Sequence, residues 1–144
     1  MPQGDIPRRV QAFCEKTGQC VPQTVGEIMR CIYESLALKY RLTAEKIRSC
    51  TGREYRKLHV VGGGTKDRLL CQMTADACGM PVLAGPVEAT VLGNLAVQLI
   101  ACGAIKNIRQ ARQIIAQSET PARYEPKDTE RWDSAYQQFM QYII

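Results

Sequence analysis

A chain of 144 residues suits one domain with a single core and is too short for two lobes with a cleft between them. Its 45% hydrophobic and 23% charged residues are ordinary for a soluble globular protein and exclude a disordered one. The net charge of +5 is scattered over Arg8, Arg9, Lys39, Arg41, Arg53, Arg56, Lys57, Arg109 and Arg112 without a dense run or interleaved aromatics, so no nucleic-acid partner is expected.

No apolar run reaches the length of a membrane span, and Gln3, Asp5 and Pro7 stand where a hydrophobic signal region would lie. The cytoplasm is the expected compartment. Seven cysteines, at 14, 20, 31, 50, 71, 78 and 102, include no Cys-x-x-Cys pair and accompany a single histidine, so no metal site is expected. Most should be reduced core thiols, Cys31 and Cys102 on helices among them. Cys14 and Cys31 would meet if the first loop folded back on the first long helix.

Residues 1–23 carry the turn formers Pro2, Gly4, Pro7, Gly18 and Pro22, so loop is expected there apart from a short helical turn around Arg8 to Thr17. At Thr24 the pattern changes. Thr24 and Glu27 make a capping box, and Ile28, Ile32, Leu36 and Tyr40 follow at helical spacing, through Ile47 to a stop at Gly52. Glu34, Arg41, Glu45 and Arg48 read as the solvated side of that helix.

Leu58 to Val61 is short, mostly apolar and β-prone, and it breaks at Gly62, Gly63 and Gly64. The pattern is strand, bare-backbone turn, helix. A glycine turn there admits positive φ and lets a ligand reach the backbone amides, which at a helix start favour phosphate. Neither familiar phosphate loop is met: the dinucleotide fingerprint wants glycine at Asp67, and a Walker loop wants Lys directly after Gly64, where Thr65 stands. A plain tight connection fits the local pattern equally well.

Leu69, Leu70, Met73 and Ala77 give the next helix, about Lys66 to Cys78, an apolar face ended by Gly79. Pro81 to Ala84 reads as a second strand closed by Gly85 and Pro86. A helix from about Glu88 to Cys102 aligns Ala89, Gly93 and Ala96 or Val97. Gly93 costs about 1 kcal/mol inside it, so close packing against a neighbouring helix or a ligand is expected there. A helix near Ile108 to Gln117, a Pro-containing loop from Ser118 to Pro126, and a last helix from Asp128 with an apolar stripe of Trp132, Tyr136, Phe139, Met140 and Ile143 complete the chain. Two parallel strands joined by a helix are the expected sheet; either more strands come from elsewhere or its edge is exposed, with a homo-oligomer through that edge in prospect.

The run HVVGGGTKDRLLCQMTADACGMPVLAGPVEATVLGNLAVQ and the upstream run TGQCVPQTVGEIMRCIYESLALKYR resemble the C-terminal part of sugar kinases of the FGGY family. The resemblance covers about Ile6 to Tyr124. It implies an α/β fold: part of an actin-like ATPase lobe with a ribonuclease-H-like core, with few parallel strands and several helices. On that reading residues 1–23 are the tail of an upstream lobe and 24–144 an incomplete C-terminal lobe. The implied activity is ATP-dependent phosphorylation of a sugar, with Mg2+, in the full-length enzyme.

Carried over by position, Gly63 is the glycine that meets ATP through its backbone, flanked by Gly62 and Gly64. Asp67 stands where the family often has asparagine near the nucleotide, and it departs from that pattern. Contact with the nucleotide and simple capping of the following helix both stay open for it. The family's catalytic carboxylate and sugar contacts lie earlier in the chain, so no catalytic residue is expected here. Gln72, Asp76, Glu88 and Thr90 read first as groups satisfying the lobe's own backbone, and His59 as structural. Rhamnulose is the first choice of sugar, with xylulose, fuculose or glycerol as rivals. A non-catalytic binding module is the alternative from another class.

Overall fold

The computed structural model describes residues 4–143. The first helix, α1 (Ile6–Lys16), is three turns long rather than one. Asp5 accepts the Arg8 N–H at 3.2 Å, and Pro7 sits in the first helical turn, where its missing N–H costs nothing. Pro7, which read as a turn former, thus belongs to a helix start. Gln11 then donates to the Pro22 carbonyl at 2.8 Å, which holds the connecting loop against α1.

Helix α2 (Val25–Thr51) begins at the capping box of Thr24 and Glu27 and ends at Gly52 in the left-handed region, φ 63°, as expected. Its buried stripe differs from the expected one. Ile28, Ala37, Leu38 and Leu42 are buried, while Tyr40 and Ile47 are 42% and 47% exposed. Steps of four residues overshoot a full turn by about 40° each. A run built only on such steps, from Ile28 through Ile32 and Leu36 to Tyr40, therefore winds off the buried face.

Part of the side expected to be solvated, Arg41 and Glu45, does structural work instead. Arg41 Nη1 meets Asp133 at 2.6 Å and the Ala77 carbonyl at 3.2 Å, and its guanidinium lies 4.2 Å from the centre of the Tyr136 ring. The Tyr136 hydroxyl donates to Glu45 at 2.6 Å, and burial with this acceptor pushes its pKa up to about 12. A polar seam thus joins α2 to α6 (Thr129–Met140).

Strand β1 (Leu58–Val60), helix α3 (Arg68–Cys78) and strand β2 (Val82–Ala84) form the expected unit, with β1 and β2 parallel in the register Leu58 to Val82 and Val60 to Ala84. A third strand was not expected. β3 (Ala122–Tyr124) pairs antiparallel with β2, giving the order β1-β2-β3. A three-residue strand flanked by Pro121 and Pro126 is too short to show period-two alternation. Where β2 ends, Gly85 has φ 148° and a Cβ there would stand 3.2 Å from Pro121 Cα, so the approach of the two strands demands glycine.

Helix α3 is buried on two sides. Met73 and Ala77 pack with Ala37, Leu38 and Leu42 of α2 and Trp132 and Tyr136 of α6, while Cys71 and Ala75 pack on Val82 and Ala84 of the sheet. Leu69, expected on the core face, is 54% exposed. Small residues, Ala75 and Ala77, mark the contacts because a helix between two layers needs close approach on both sides. Of the α6 stripe, Trp132 and Tyr136 are buried, Phe139 and Ile143 pack on the same cluster, and Met140 is exposed.

Helices α4 (Ala89–Ala101) and α5 (Ile108–Ser118) make a hairpin with a small cluster of their own, Ala96, Ile105 and Ala111. Packing of a neighbouring helix against Gly93 is not present among the described residues, since a Cβ there would have nothing within 4 Å. Val91 and Val97 of the same helix are each 61% exposed.

Gln72 and Asp76 satisfy the chain itself, as expected. Gln72 Nε2 donates to Asp76 Oδ1 at 2.9 Å and to the Glu125 carbonyl at 2.7 Å, and the Lys127 N–H reaches Asp76 at 2.8 Å. The pair clamps the exit of β3 onto α3. Asp76→Ala is expected to cost about 1–3 kcal/mol, because it leaves an amide without its acceptor. A urea midpoint that falls with unchanged slope checks this.

Candidate functional site

The sheet brings the ends of two parallel strands to one edge. After β1, Val61 stays extended and Gly62 turns at φ 77°, its N–H donating to the Pro86 carbonyl at 3.0 Å, while the Gly85 N–H donates to Val60 at 2.9 Å. The glycine turn and the loop after β2 are therefore tied together at the carboxyl ends of their strands. In open α/β sheets this is where ligands gather.

Gly62–Lys66 is a short 3-10 turn rather than an irregular loop. The buried Thr65 hydroxyl donates to the Gly62 carbonyl at 2.8 Å, and the Asp67 N–H donates to the Gly64 carbonyl at 3.3 Å. The three glycines differ in what the fold asks of them. Only Gly62 has a positive φ. A Cβ at Gly64 would make an ordinary 3.7 Å contact with Val60, and one at Gly63 would meet nothing within 4 Å. Folding does not require glycine at Gly63, whose backbone borders open space.

Asp67 ends the turn and caps α3, its Oδ1 accepting the Leu70 N–H at 3.0 Å. Tyr33 of α2 comes near the same carboxylate. The backbone bond first, and Tyr33 second, hold the carboxyl below its ordinary 3.8, so it is charged at neutral pH. Of the two roles left open for Asp67, the cap is the one this geometry displays. Its signal was legible: Asp is a strong capping residue, and Leu70 lies three positions on. Tyr33 was not, because nothing in the sequence places α2 beside the turn.

His59 is exposed on β1, and Glu88 and Thr90 are exposed at the start of α4 without a capping side chain. All seven cysteines are free. Cys14 and Cys31 do come together, and the Cys31 thiol is pushed up by burial and then by its neighbour Cys14. Cys20, Cys50 and Cys102 are exposed, which for Cys102, at the C-cap of α4, is contrary to the expected core thiol on a helix. Among the described residues no three His, Cys, Asp or Glu side chains are arranged to hold a metal ion, and no helix is long and apolar enough to cross a membrane.

Two hollows among the described residues lie away from the glycine turn. One of about 210 Å³ lies between α2 and the start of α6, beside Arg41, Arg48 and Asp133. Another of about 890 Å³ lies between α1, α2 and the end of α6, beside Phe13, Leu38 and Phe139. The turn itself is an open ledge.

Comparison with known proteins places residues 3–102 in the FGGY family of carbohydrate kinases, C-terminal domain. The chain is 44% identical to the rhamnulokinase of Bacteroides thetaiotaomicron over 94% of its own length and 28% of that protein. It is 37% identical to the rhamnulokinase of Bacillus subtilis over 95% of the chain and 28% of the relative, and 49% identical to that of Enterococcus faecalis over 80% and 24%. The chain thus spans about a quarter of the length of the curated relatives it matches. The crystal structure of xylulose kinase from Rhodospirillum rubrum superposes with a TM-score of 0.64 over 86% of this chain and 25% of that one, at 23% identity. That likeness concerns the fold, which is the expected mixed α/β lobe.

Proposed function

The chain belongs to the FGGY family of carbohydrate kinases, as their C-terminal domain, and we propose that it is the nucleotide-binding lobe of a kinase that transfers the γ-phosphoryl of ATP to the 1-hydroxyl of L-rhamnulose. Gly63 is the observation that carries the reading. It is a glycine that the fold does not require, set at the carboxyl end of a parallel strand, with free space where a side chain would stand.

The turn fits a nucleotide in kind. Gly62, Gly63 and Gly64 would present backbone to it, with no side chain in the way. Mg2+ would arrive on the triphosphate and neutralise its charge. Phosphoryl transfer depends on placing the donor in line with the hydroxyl, and this lobe's own part is that placement. A base for the sugar hydroxyl and the sugar contacts would come from the rest of the kinase. The names of these relatives favour rhamnulose over xylulose, fuculose or glycerol. A cytoplasmic enzyme follows from the need for ATP. Nothing in the scattered charge favours a nucleic-acid partner, and association through the free edge of β1 would be the route to an oligomer.

Grafted in place of the matching segment of a rhamnulokinase, the chain should support ATP-dependent phosphorylation of L-rhamnulose. Alone it should consume no ATP in response to sugar, because half a cleft brings no acceptor. Sugar-dependent turnover by the isolated chain, or a folded graft that does not bind ATP, contradicts the proposal.

A further inference from the structure

The pitch of the glycine turn decides which of its residues share a side. With three residues per turn of a 3-10 helix, positions i and i+3 lie one above the other. Gly62–Lys66 therefore has three sides. One carries Gly62 and Thr65: the Thr65 hydroxyl donates to the Gly62 carbonyl at 2.8 Å and Thr65 is buried, so this side faces the fold. The second carries Gly64 and Asp67, where the Asp67 N–H donates to the Gly64 carbonyl at 3.3 Å and the carboxylate accepts the Leu70 N–H at 3.0 Å. The third carries Gly63 and Lys66.

This third side is the one the fold leaves open. A Cβ at Gly63 would meet nothing within 4 Å, and Lys66 is exposed. Among the described residues Lys66 makes no ion pair, although Asp67 follows it directly. The carboxylate of Asp67 is committed to the backbone of α3 on the neighbouring side. Three residues of a 3-10 turn rise about 6 Å, a distance that the four-carbon stem of a lysine spans. An uncommitted ammonium is thus carried on the same side of the turn as the bare backbone at Gly63.

We propose that Lys66 supplies the positive charge of this ledge, its ammonium meeting the phosphates of a nucleoside polyphosphate that lies against the Gly63 backbone. The lysine comes one residue later than a Walker loop would place it, and the pitch of the turn brings it to the open side all the same. This deepens the nucleotide site proposed above and rests on it. In water two unit charges about 4 Å apart change affinity about fivefold, and an ionic strength of about 0.2 M cuts this to about threefold.

The test is a titration of the intact chain with metal-free ATP, and separately with adenosine, followed by amide NMR shifts at Gly62–Gly64 at a constant ionic strength of about 0.2 M and again at about 1 M. At the lower salt Lys66→Met should weaken ATP about threefold and Lys66→Glu about threefold again, while Lys66→Arg binds like the parent. At the higher salt each step should shrink below about twofold. Adenosine should not respond to any of the three, since only phosphates feel the charge. Arg68→Met removes the next exposed cation, which starts α3 beyond the turn, and should weaken ATP by less than about twofold. Equal weakening of ATP and adenosine, an effect that salt leaves unaltered, or an Arg68→Met loss as large as that of Lys66→Met overturns the role of Lys66. ATP binding lost in Gly63→Val but unmoved by Lys66→Glu overturns the role of Lys66 and leaves the site standing. No ATP-induced shift at the turn, or shifts indifferent to Gly63→Val, overturns the site and this proposal together.

Discussion

Replacing Trp132 with alanine should remove about 3–5 kcal/mol of stability, the usual cost of emptying a large aromatic from a packed core. Trp132 is 7% exposed and lies in the cluster where α6 closes over α2 and α3, among Leu38, Leu42, Met73 and Ala77. Domains of this size are stable by roughly 5–15 kcal/mol, so the loss is a large share of the whole. The polar seam of Arg41, Glu45 and Asp133 does not replace it, since partly exposed ion pairs contribute about 1 kcal/mol or less each. Met140→Ala, on the exposed side of the same helix, should cost under about 0.5 kcal/mol. Denaturation in urea distinguishes the two. A loss below about 1 kcal/mol for Trp132→Ala would mean that α6 does not dock as described.

What could be read from the sequence was whatever local chemistry decides. The capping box at Thr24, the left-handed stops at Gly52 and Gly79 and the strand before the glycines all depend on neighbours within a few residues. What could not be read was settled by contacts distant in the chain. β3 is a strand only because β2 lies beside it, and Arg41 leaves the solvent only because Asp133 and Tyr136, more than ninety residues away, meet it. The start at Asp5 was a misreading of a legible signal: an aspartate two residues before a proline opens a helix as readily as a turn.

The site divides in the same way. Three glycines after a strand were visible as a turn, but their separate duties were not, because φ and the space beside each backbone are properties of the folded chain. Gly62 is needed for its conformation, Gly64 is nearly indifferent, and Gly63 is free of both demands. Gln72 and Asp76 lie close to the turn in sequence, yet their partners at Glu125 and Lys127 commit them to the fold.

Gly63→Val gives the sharpest result, because the fold tolerates the side chain and the ligand would not. With an ordinary φ and nothing within 4 Å of the new Cβ, the variant should keep its stability within about 0.5 kcal/mol. Gly62→Val, at φ 77°, should instead lose about 1–2 kcal/mol to backbone strain. The decisive measurement is the dependence of rate on ATP in a complete kinase carrying this lobe, with and without Gly63→Val. The account predicts an apparent ATP affinity about tenfold weaker or worse, since the valine fills the space where nucleotide meets backbone, with sugar affinity little changed. An unaltered ATP dependence in a folded, active Gly63→Val enzyme would contradict the assignment of this turn as the nucleotide site.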